Sequence, residues 1–215
     1  MRSRLLVSGD AARTASSIVA HAQLFRVGIV CDLLTAIGVV ILNLALYELR
    51  APAHRSLARL AALWRTAEAS IFGAITVSSF VVLSILSGAD HLQAFEPGQL
   101  QALARLFVGA QSSGYVITLL FFGLGSTTYM YLLVRSNYVP KALALSGVGV
   151  SALCVLFALA RTVYPASVAA AFAAIGALPV VALVLLAVIF VPIFAFEVNL
   201  GLWLLVKGVR VPERT

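Results

Sequence analysis

Apolar residues run in five unbroken stretches, roughly 26–48, 57–86, 106–134, 141–163 and 180–206, separated by short polar connections. At 1.5 Å per residue each is long enough to cross about 30 Å of hydrocarbon as a helix. The runs are continuous rather than alternating, which disfavours a transmembrane barrel. The pattern predicts an all-α fold, a polytopic transmembrane helical bundle of about five spanning helices. Residues 1–24 form an interfacial amphipathic segment, 25–208 a single transmembrane domain and 209–215 a cytoplasmic tail. The sequence AARTASSIVAHAQLF after Asp10 reads as a capped helix on the membrane surface. Residues 166–178, bounded by Pro165 and Pro179, are too few to span and read as an interfacial or re-entrant piece.

Composition sharpens this reading. The 215 residues are 62% hydrophobic and 11% charged, with a mean hydropathy of +1.05; a soluble domain carries about 25% charged residues. The net charge of +7 does not point to nucleic acid, because the cations sit at the ends of the apolar runs. Arg50, His54, Arg55 and Arg59 fall in one connection, Arg135 and Lys141 bound another, and Lys207, Arg210 and Arg214 lie in the tail. Five helices with the amino terminus outside put all three groups in the cytoplasm. Arg2, Arg4 and Arg13 then lie outside, against the rule. Cys31 and Cys154 both fall within helices and read as small apolar side chains.

Polar residues recur at helical spacing inside the runs. The first helix carries Gly28, Asp32, Thr35, Val39 and Asn43 on one face; Arg26 or Arg161 is the expected partner of Asp32. The second carries Arg65, Glu68, Thr76 and Ser79, with Arg65 and Glu68 one turn apart. The third presents Gln111, Tyr115, Thr118, Phe122, Gly125 and Tyr129. The fourth has small residues at Ser146, Gly147, Gly149 and Ser151, suited to close helix approach within the chain or with another copy. On the fifth, Pro192 predicts a kink one turn before Glu197.

A charge in the bilayer core costs about 3 kcal/mol or more unless paired or hydrated, so these groups belong in the bundle interior. Arg65, Glu68 and Glu197 are expected at one depth with Asn43 beside them, as a cluster that holds helices together and can take a ligand or ion. With Asp32 and Tyr115 they are the candidate binding residues. Neither a metal-ligand spacing, nor a nucleophile elbow, nor a glycine-rich phosphate loop occurs, so no catalytic residue, metal or cofactor is assigned. Three functions remain: a non-enzymatic membrane protein binding a small amphipathic ligand or a partner, a proton- or ion-coupled carrier using intramembrane carboxylates, and, with least support, a membrane enzyme. The expected partners are the lipid bilayer and a second copy or another membrane protein.

Several pieces in fixed order carry a family resemblance. They are Phe25-Arg26-Val27-Gly28 with Asp32-Leu33-Leu34, Leu44-Ala45-Leu46-Tyr47, Trp64-Arg65-Thr66-Ala67-Glu68-Ala69, Gly114-Tyr115, Phe121-Phe122-Gly123-Leu124-Gly125, the connection Arg135–Lys141, and Glu197 with Leu202-Trp203-Leu204-Leu205-Val206-Lys207-Gly208. Across residues 10–208 the chain resembles the bacterial membrane-protein family known as domain of unknown function 4386. The resemblance implies a multi-pass helical protein with no assigned activity. It also implies one further helix ahead of Asp10–Phe25, which would bring both ends into the cytoplasm and account for the amino-terminal arginines.

Overall fold

A computed structural model of the chain describes residues 11–51, 54–88, 94–136 and 141–176. Every regular element among the described residues is an α-helix: α1 (Ala11–Ala20), α2 (Ala22–Arg50), α3 (Arg55–Leu86), α4 (Pro97–Ser136), α5 (Lys141–Val163) and α6 (Pro165–Gly176). Four of them contain stretches long and apolar enough to cross a membrane: Ala22–Glu48, Arg55–Leu86, Pro97–Arg135 and Ala144–Val163. The fifth apolar stretch, 180–206, lies outside the described residues.

Local chemistry sets the helix ends. The His54 ring accepts the Leu57 backbone N–H at 3.3 Å, occupying one donor of the first turn of α3. At the other end of α3, Gly88 takes a left-handed φ of 69°, a conformation open to glycine at no steric cost. Before α4, the Glu96 backbone N–H donates to Gln99 Oε1 at 3.0 Å, while the Gln99 and Leu100 N–H groups donate to the Glu96 carbonyl. Pro97 fills the first helical position, where its missing N–H costs nothing. Pro165 separates α5 from α6 in the same way.

α4 begins nine residues earlier than the apolar run predicted, and it takes up part of the connection expected over 87–105. Hydropathy is weak there, but Leu100, Leu103 and Phe107 recur at helical spacing and find apolar partners. α6 has 12 residues, about 18 Å of helix, too short to span.

The chain divides into two units, Met1–Val40 with Ala67–Thr118 and Ile41–Thr66 with Leu119–Thr215. In the first, Ile18, Phe25, Ile29, Val82, Ile85 and Ala104 form the core, flanked by Leu100, Leu103 and Phe107. The apolar side of α1 is thus occupied by protein: Thr14, Ala15 and Ile18 are buried, while Arg13, Ser16 and Val19 are exposed. Only a turn at His21 separates α1 from α2, and hydrogen bonds from His21 N–H to Ser17 and from Phe25 N–H to His21 carry across it.

In the second unit Leu46, Ala61, Tyr129, Met130, Leu133 and Ala144 form the core. The small residues of α5 meet α4 of the same chain. A Cβ on Gly123 would stand 2.6 Å from Val155 Cγ2 and 2.9 Å from the Ser151 carbonyl oxygen, and a Cβ on Gly147 would stand 2.9 Å from Met130 Sδ.

The distribution of polarity is inverted relative to a water-soluble protein. Val27, Val30, Leu34, Ile37, Val40, Ile41 and Leu44 of α2 are each more than half exposed, whereas Arg65 and Glu68 are 2% and 5% exposed. Five threonine hydroxyls within the spans are returned to their own backbone: Thr35, Thr76, Thr118, Thr128 and Thr162 each donate to the carbonyl four residues earlier, at 2.8–3.0 Å. That bond lets a threonine lie in hydrocarbon without an unsatisfied donor.

Candidate functional site

The face of α3 bearing Ala61, Arg65, Glu68, Thr76 and Ser79 is buried along its length. On α4 the stripe Gln111, Tyr115, Thr118, Phe122, Gly125 and Tyr129 supplies partners for Ser79, Asp32, Arg65 and Asn43.

In the first unit, Gln111 Nε2 donates to Ser79 Oγ at 2.7 Å, and both groups are buried. The Tyr115 hydroxyl donates to Asp32 Oδ2 at 3.1 Å. The Tyr115 ring stands edge-on to Phe72, with centroids 5.6 Å apart. Asp32 thus takes a hydrogen bond from Tyr115, a residue of the stripe on α4. In the second unit the Arg161 guanidinium donates to the Pro165 carbonyl at 2.6 Å. Thr35, on the predicted stripe of α2, is exposed. Glu68, one turn after Arg65 on the buried face of α3, also belongs to this unit. Removing the Tyr115 hydroxyl is expected to cost about 1 kcal/mol or less, since interhelical hydrogen bonds in membranes average about 0.6 kcal/mol. Thermal unfolding of Tyr115→Phe in detergent checks this.

The second unit holds two arrangements one turn apart on α4. The Arg65 stem crosses Gly125, where a Cβ would come within 2.8 and 2.9 Å of Cγ and Cδ. Its guanidinium lies over the Phe122 ring, 5.0 Å from the centroid, and Nη1 is 3.5 Å from Ser126 Oγ. Glycine at 125 makes the passage; phenylalanine at 122 offers a negative ring face, an interaction worth about 2 kcal/mol when water is excluded. Beside it, Asn43 Nδ2 donates to the Ala62 carbonyl at 3.1 Å and to Thr66 Oγ1 at 3.2 Å. Asn43 Oδ1 accepts from the Tyr129 hydroxyl at 2.8 Å. Both polar ends of the amide are engaged, which ties α2 to α3 and α4.

Arg65 and Asn43 therefore lie in one unit and Asp32 and Tyr115 in the other, while Glu197 lies outside the described residues. Sequence reasoning passed over Ser126 and Thr66. Each flanks a residue that it had singled out, and short hydroxyl side chains give no periodic signal of their own.

Apolar spans facing outward and a polar, hydrogen-bonded interior define a multi-pass integral membrane protein. The family model described as Domain of unknown function (DUF4386) matches residues 1–208, nearly the whole chain, and the chain belongs to that family. Neither the curated proteins nor the solved structures contain a match to it.

Proposed function

We propose that this is a non-enzymatic protein of the cell membrane that binds a small amphipathic molecule, with the cluster around Arg65 and Asn43 receiving the polar head. The topology that goes with this reading has five spans, counting 180–206, with the amino terminus outside and the carboxyl terminus in the cytoplasm. One observation carries the reading: a permanently charged guanidinium, 2% exposed, is held by a purpose-shaped passage at Gly125, an aromatic face and a hydroxyl. A buried charge is a costly way to join helices, and apolar residues of similar volume often do so equally well. Its presence within a span thus favours recognition over packing alone.

The test is native mass spectrometry of the protein extracted gently from its own membrane. A small amphiphile should stay bound to the unaltered protein and be lost from Arg65→Met, while helicity and monodispersity are kept. A ligand-free unaltered protein, or equal retention by a well-folded Arg65→Met, would overturn the reading. The burial of Glu68 favours a second reading, a proton- or ion-coupled carrier. Proteoliposomes decide it: proton flux that is abolished by Glu68→Gln supports the carrier, and the absence of flux removes it.

A further inference from the structure

The end of the second unit where α2 and α4 finish and α3 and α5 begin carries exposed cations on three helices. The shared core fixes these helix ends together. Leu46 lies four residues before the end of α2, Ala61 six residues into α3, Leu133 three before the end of α4 and Ala144 three into α5, and all four belong to one cluster. Arg55, Arg59, Arg135 and Lys141 are all exposed at this end. Among the described residues of this unit the acidic complement is Glu48 alone.

Each helix repeats one arrangement. Arg59 is followed four residues inward by Leu63 (67% exposed), Lys141 by Leu145 (57% exposed), and Arg135 is preceded by Tyr131 (42% exposed). Residues four apart share a helix face, about 6 Å apart along the axis. Each cation therefore stands just outside an exposed apolar or aromatic side chain. On α4 the pair is in contact, with the Arg135 guanidinium 5.4 Å from the Tyr131 ring centroid. Charges that served topology alone would need only to lie in the connection. These are stacked in register with apolar surface, the order of a phospholipid's own phosphate and acyl chains.

We propose that this end of the bundle is a binding surface for anionic phospholipid, with the headgroup phosphate on Arg59, Arg135 and Lys141 and the acyl chains along Leu63, Tyr131 and Leu145. Basic residues close to a membrane surface draw anionic lipid with an energy equivalent to about fivefold in occupancy per cation. The surface is separate from the Arg65 cluster and does not depend on it.

The experiment compares the protein in nanodiscs of phosphatidylcholine with and without phosphatidylglycerol, reading retained lipid by native mass spectrometry and the melting temperature. Phosphatidylglycerol should be enriched over phosphatidylcholine on the unaltered protein and should raise its melting temperature. Arg59→Gln with Arg135→Gln should reduce the enrichment about 25-fold, fivefold for each cation, and Arg59→Lys with Arg135→Lys should keep most of it. Arg26→Gln with Arg105→Gln, which removes two cations from the first unit, should leave it unchanged. Equal retention of the two lipids, an equal loss in the control pair, or equal stabilisation by inorganic phosphate would each overturn the proposal.

Discussion

Alanine at Gly123 is expected to lower stability by about 2–3 kcal/mol, within the range for overpacking a well-filled site. The added carbon would meet Val155 Cγ2 at 2.6 Å, the Ser151 carbonyl oxygen at 2.9 Å and the Val155 backbone nitrogen at 3.1 Å. Two of these neighbours are main-chain atoms of α5 and cannot rotate away, so the helices must separate. Separation costs dispersion contacts that lipid chains replace only in part, since close packing is a principal force between helices in a bilayer. Gly125→Ala meets the Arg65 stem, a side chain that can adjust, and should cost less. Steric-trap or mild chaotrope unfolding in bicelles would give the order. Equal stability of Gly123→Ala and the unaltered protein would mean that α4 and α5 do not approach as described.

Leucine at Asn43 should cost about 2 kcal/mol. The change removes the amide bonds to the Ala62 carbonyl and Thr66, and takes away the 2.8 Å acceptor of the buried Tyr129 hydroxyl, leaving it only the Asn43 backbone carbonyl at 3.4 Å. A buried polar group deprived of its partner costs about 1–3 kcal/mol. Interhelical hydrogen bonds measured in membranes lie lower, averaging about 0.6 kcal/mol, and bring the expectation to the middle of that range. Combining Asn43→Leu with Tyr129→Phe should cost less than the sum of the two, because both changes remove the same side-chain hydrogen bond. Additive losses in that cycle would show that the two side chains are not coupled.

The sequence carried the helices well and their pairings poorly, for a physical reason. Amphipathic spacing is local, so the apolar runs placed α2, α3 and α5 to within a few residues of Ala22–Arg50, Arg55–Leu86 and Lys141–Val163. The stripe Gln111–Tyr129 was visible for the same reason. What each stripe faces depends on contacts between distant parts of the chain, which periodicity does not encode. Asp32 met the hydroxyl of Tyr115, a pairing that neither stripe announced, and Ser151 met Gly123 of its own chain, a choice that small-residue spacing alone left open. The first turns of α4 were missed because their stability comes from Val82 and Ile85 on α3, not from their own hydropathy. Within the binding cluster, Arg65 and Asn43 were legible as polar groups in oil, while Phe122 and Gly125 stood on a stripe whose meaning became clear only beneath the guanidinium.

The 40 residues of α4 make a rod of about 60 Å. Hydrocarbon accounts for about half of that length, and even a tilt of about 40° leaves a surplus beyond the oil. α5, with 23 residues and about 35 Å, has almost no such reserve. Thickening of the host bilayer by a few ångströms would therefore slide more of α4 into oil at little cost, but would strain the short neighbour first. The shortest crossing among the described residues, not the longest, sets which membranes this protein can inhabit comfortably.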